Sequence, residues 1–72
     1  MSYDSLKAEI KRLKNLAINE KDPDERMNIY DSIASYGPMA REDLLEMAEA
    51  EKHADAKRYC ISRIKVASET KA

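Results

Sequence analysis

Few side chains in this sequence are of a kind that does chemistry, and their spacing limits what that chemistry is. Asp22 and Asp24, in "KDPDE", have the alternating carboxylates of a calcium loop. An EF-hand counted from Asp22 needs Gly at its sixth position and Glu at its twelfth. Met27 and Ile33 stand there, so no metal site is expected. His53 and Cys60 are the only histidine and the only cysteine, the usual zinc ligands. A structural zinc site needs four ligands, and Cys–His catalysis needs an orienting third group and an oxyanion site. The pair reads as a surface histidine and a small buried thiol.

Three charged clusters remain. Glu42, Glu46 and Glu49 share one helical face, with Asp43 beside them. Acid–base catalysis would need a pocket around them. A solvated face that docks a basic partner is the simpler expectation. Lys57, Arg58, Arg63 and Lys65, with Tyr59 among them, are the strongest candidates for binding a partner or a nucleic acid. Cations grouped on a helix attract phosphates or an acidic protein surface. The net charge of −1 is unlike that of a dedicated nucleic-acid domain. Lys7, Lys11, Arg12 and Lys14 would suit an anionic membrane surface, but Trp and Phe anchors are absent. The apolar side of that segment therefore reads as core.

The elements that must position these residues are helical. The chain has 72 residues, one Gly, two Pro and Tyr as its only aromatic type. No stretch alternates as a half-buried strand does. The expected fold is all-α: a compact bundle of three or four helices, or two stacked helical hairpins, forming one domain over 1–72. Helices are expected at about 3–20, 23–36, 39–52 and 55–68. In the first, Leu6, Ile10, Leu13 and Ala17 recur on one face and Leu16 widens it. Ser2 or Asp4 can cap it. In "DPDE", Asp22 suits the N-cap, Pro23 the first turn, and Glu25 can reach back as in a capping box. Met27, Tyr30, Ile33 and Ala34 are expected inward. "GP" ends the second helix, with Gly37 in the left-handed conformation and Pro38 unable to continue it. The third carries Leu44, Leu45, Met47 and Ala48. Its apolar stripe lapses at "KHAD", where a break and a cap at Asp55 are expected. Cys60, Ile61, Ile64 and Ala67 then face inward in the fourth.

An offset of 31 residues superposes 13–33 on 44–64. Leu13 meets Leu44, Ala17 meets Ala48, Glu20 and Lys21 meet Glu51 and Lys52, Asp24 meets Asp55, and Ile33 meets Ile64. The pattern reads as two copies of a helix pair. "KDPDERMNIYDSI", echoed by "KHADAKRYCISRI", resembles a short HEAT-like repeat of the kind found in phycobilin-lyase-type proteins. That resemblance implies a protein-interaction scaffold. A second resemblance competes. "IYDSIASYGPMAREDLLEMAEAEKHADAKRYCISRIK", Ile29 to Lys65, looks like a helix-turn-helix of the winged-helix type. It implies DNA binding through a recognition helix at 55–66.

Composition bounds the setting. A domain this short buries only about 60% of its unfolded surface, so its core is thin. Such cores lean on a disulfide, a metal or a partner. A lone cysteine cannot close an internal disulfide and suits a reducing cytoplasm. The start shows no apolar leader, and no run is long enough to span a bilayer. The leading expectation is a cytoplasmic, non-enzymatic interaction module that binds a protein partner and self-associates. The alternative is a helix-turn-helix DNA binder. No cofactor, membrane or small-molecule substrate is expected.

Overall fold

Helix starts and stops follow local chemistry that the sequence advertises. The computed structural model describes residues 2–69. Four helices follow in order: α1 (Tyr3–Asn19), α2 (Pro23–Ala34), α3 (Arg41–Ala50) and α4 (Ala54–Glu69), with a 3₁₀ turn at Gly37–Ala40 before α3. No strand occurs among the described residues. The all-α expectation holds. Ser2 supplies the first cap, its hydroxyl accepting from Ser5 N–H at 3.2 Å. Gly37 has φ of 78°, a conformation that a side chain would disfavour, and it turns the chain out of α2. Tyr36 and the 3₁₀ turn take over after Ala34, so α2 stops two residues before its expected end. α3 is shorter than expected at both ends. Its C-cap Glu51 is already extended, with φ of −71° and ψ of 122°. The break at "KHAD" is present, and it makes α3 and α4 separate helices.

α4 is the hub of the packing. It lies against α3, α2 and the 3₁₀ turn, while α1 packs mainly on α2 and only lightly on α3. The core holds Ile10, Ala17, Tyr30, Ile33, Ala34, Ala40, Leu44, Met47, Ala48, Ala56, Cys60 and Ala67. Alanine fills half of those positions. Small side chains let helix backbones approach closely, and large residues then fill the remaining gaps. Leu13, Met27, Tyr36 and Ile64 close the margin.

Two apolar expectations fail for one geometric reason. Ile61 is 50% exposed and Leu16 is 49% exposed. On α4 the buried line is Ala56, Cys60 and Ala67. Ile61, one residue on from Cys60, is rotated about 100° away from that line. α4 turns its small residues toward its neighbours and leaves Ile61 outside. No described helix is long and apolar enough to cross a membrane.

Candidate functional site

Two of the three inter-helix connections, at 20–22 and 51–53, are each built on a glutamate whose carboxylate accepts from the backbone two residues on. Glu20 ends α1 with an extended backbone, its N–H donates to Ala17 O at 3.2 Å, and its carboxylate accepts from Asp22 N–H at 3.1 Å. Glu51 ends α3 with a similarly extended backbone. Its N–H donates to Met47 O at 2.9 Å, and its carboxylate accepts from His53 N–H at 3.0 Å. Asp22 then caps α2 through Asp24 N–H at 2.9 Å. His53 Nδ1 accepts from Ala56 N–H at 3.4 Å at the start of α4. Two cap expectations change here. Asp22 N–H is taken by Glu20, not Glu25. His53, rather than Asp55, stands at the cap of α4, and Asp55 pairs with Arg58.

Glu51 is the unexpected residue of the structure. It is 7% exposed, the only buried charged residue among those described. Arg26 clasps it with two parallel bonds, Nε at 2.7 Å and Nη2 at 2.9 Å. Tyr30 Oη donates to the same carboxylate. The remaining Arg26 nitrogen donates to Glu20 O at 2.8 Å, so one guanidinium ties both turns together. The fork geometry of arginine suits this bidentate grip. Hydrogen bonding from Arg26 outweighs burial and, with Tyr30 and His53 N–H, holds the Glu51 carboxyl down at about 2. Burial and the neighbouring Glu51 carboxylate push the Tyr30 hydroxyl well above its usual range. Glu51 is thus ionised and Tyr30 neutral at ordinary pH. No buried side-chain nitrogen or oxygen among the described residues lacks a partner. The cluster is a saturated clamp and holds no acid or base free for catalysis.

Above the clamp lies a concavity of about 380 Å³ between the C-terminal ends of α1 and α3. Ala17, Met47, Ala50 and the Tyr30 side chain line it, and Ile18, 73% exposed, stands at its edge. Lys14 closes one side by bonding Asp43 at 3.0 Å and Glu46 at 3.4 Å. Lys7 adds a bond to Asp43 at 3.3 Å. Burial would raise the Asp43 pKa, yet the two lysines outweigh it and the net shift is downward. Lys7 and Lys14 therefore serve the fold by pinning α1 to α3.

The expected site residues divide. Lys57, Arg58 and Lys65 are exposed on the outer side of α4 around Ile61. Arg63 is half-buried. It bonds Asp31 on α2 at 3.2 Å and lies over the Tyr59 ring at 4.8 Å, so it fastens α4 to α2. Arg58 is occupied by Asp55. Glu42, Glu46 and Glu49 are exposed on the outer side of α3 around Leu45, and Glu46 also meets Lys14. His53 is exposed, whereas Cys60 is fully buried with Sγ directed at Leu44 O, 3.4 Å away. Burial, reinforced by the Glu51 charge, pushes the thiol up to about 12, which leaves it unreactive. Arg26 and Glu51 were missed as a pair. The repeat contained the signal, since Glu20 and Glu51 align, but nothing local says which of them goes inside. Comparison with protein-family models, curated proteins and solved structures finds no match.

Proposed function

We propose that the chain is a small, non-enzymatic protein-interaction module that works through its helix surfaces, with the outer face of α4 as the docking surface. The observation that carries this is Ile61. A large apolar residue stands half-exposed at the centre of Lys57, Arg58 and Lys65. An apolar anchor ringed by charge is the composition of a small helix-docking site, in which the anchor supplies affinity and the rim supplies orientation. The occupant that fits is an acidic amphipathic helix. The saturated clamp at Glu51 supports a structural role for the interior, and the inert Cys60 suits a reducing cytosol. The matched caps at Glu20 and Glu51 are consistent with a HEAT-like helical pair, a scaffold for protein binding.

The second reading, a helix-turn-helix DNA binder using α4, is favoured by the same three exposed cations. Arg63 weighs against it, because that side chain is committed to Asp31 and Tyr59. Capture from native lysate by wild type and by Ile61→Asp separates the two. Proteins retained after nuclease treatment and lost with Ile61→Asp support the module. Retention abolished by nuclease, with steep salt dependence and weakening by Lys57→Ala, moves the assignment to nucleic acid. Capture that is unchanged by Ile61→Asp defeats α4 as the docking surface.

A further inference from the structure

The outer face of α3 answers the outer face of α4. Glu42 and Glu49 are exposed and form no ion pair among the described residues, and Leu45, 36% exposed, lies between them. Lys57 and Lys65 are likewise exposed and unpaired among the described residues, with Ile61 between them. The two acids stand about 10 Å apart along α3, and the two lysines about 12 Å apart along α4. Around its apolar residue each face therefore carries two like charges at nearly the same spacing, acidic on α3, where the exposed Arg41 stands at the N-terminal end, and basic on α4.

We infer that the partner for the α4 face is a second copy of this chain, which contributes the outer face of its α3. This rests on the docking role proposed for α4 and names its occupant. α3 and α4 are in contact with each other; in the two-fold arrangement of this proposal, α3 meets the partner's α4 while α4 meets the partner's α3. Such a contact is isologous and closes as a dimer. It covers Leu45 and Ile61 of both copies and places each of the four unpaired charges against its opposite. The thin core of a chain this short gives the association a stabilising role as well. The contact is small, so the dimer is weak and salt-sensitive.

Sedimentation equilibrium from micromolar to millimolar concentration, at low and high salt, tests this with three variants. Wild type is expected to dimerise at low salt and to dissociate as salt rises. Lys57→Glu with Lys65→Glu gives a chain acidic on both faces. Glu42→Lys with Glu49→Lys gives one basic on both. Each alone is expected to be monomeric, and a mixture of the two is expected to form a one-to-one heterodimer. Ile61→Asp is expected to abolish association in every combination. Circular dichroism verifies that each variant folds, as surface positions should allow. A wild type that stays monomeric throughout, or a mixture that does not recover association, overturns the second copy as partner. If Ile61→Asp still releases captured protein, the docking reading survives that failure. If it does not, both fall.

Discussion

Two of the three inter-helix turns share a glutamate carboxylate that accepts from the backbone two residues on, yet only one is built into the interior. At Glu20 the carboxylate caps its own turn and remains partly exposed. At Glu51 the same cap is buried and gripped by Arg26 and Tyr30. The first turn is a local device. The second joins the two helix pairs, because Arg26 also reaches back to the carbonyl of Glu20. A cap adds the stability of one or two hydrogen bonds. A buried, paired carboxylate makes three side chains depend on each other, so its removal is felt across the domain.

The largest break in that symmetry should come from Glu51→Ala. It strips the carboxylate from Arg26 and Tyr30 and is expected to cost about 3–5 kcal/mol. A domain of this length has roughly 4–11 kcal/mol in total. Urea denaturation followed by circular dichroism should find its midpoint far below that of wild type, and a native-like midpoint would refute the clamp. Acid comes next. The Glu51 carboxyl has an ordinary value of 4.5 and is held at about 2 in the folded chain. Its contribution is fully present above pH 4.5 and is lost as pH falls through about 2. Urea midpoints of wild type should decline across that window, and a Glu51→Gln variant should show a shallower decline. Equal slopes would remove Glu51 as the cause.

Tyr30→Phe keeps the ring and deletes one donor to a charged acceptor. The expected loss is about 1.5–3 kcal/mol, read from the same urea midpoints. The exposed turn should respond least. Asp22→Ala removes one N-cap bond and is expected to cost about 1 kcal/mol. If it matches Glu51→Ala in effect, the contrast between the turns is wrong.

Much of the architecture was legible because helix boundaries are written locally. Ser2, Asp22-Pro23 and Gly37-Pro38 each act within one turn of chain, and each does what its chemistry suggests. The lapse in the apolar stripe after Ala48 located the break before α4 for the same reason. The site was less legible. Periodicity puts Leu16 and Ile61 in the core, but helical spacing fits a neighbouring row as well. Burial follows the row that faces a partner helix, and Ala56, Cys60 and Ala67 allow that approach. Arg63 looked like a surface cation in a row of four. Its role depends on Asp31, which lies on another helix.

The sequence by itself determined an all-α chain of three or four helices, the capped starts of α1 and α2 and the sharp turn at Gly37. Those features depend on φ preference, missing donors and side chains that reach only a few residues. Only the tertiary structure decided that Glu51 goes inside while Glu20 stays at the margin, and that Ile61 faces out. It also decided that the cations split between binding the fold and facing solvent. Each of those outcomes depends on how far one helix is rotated against another, a quantity that no local stretch of chain contains.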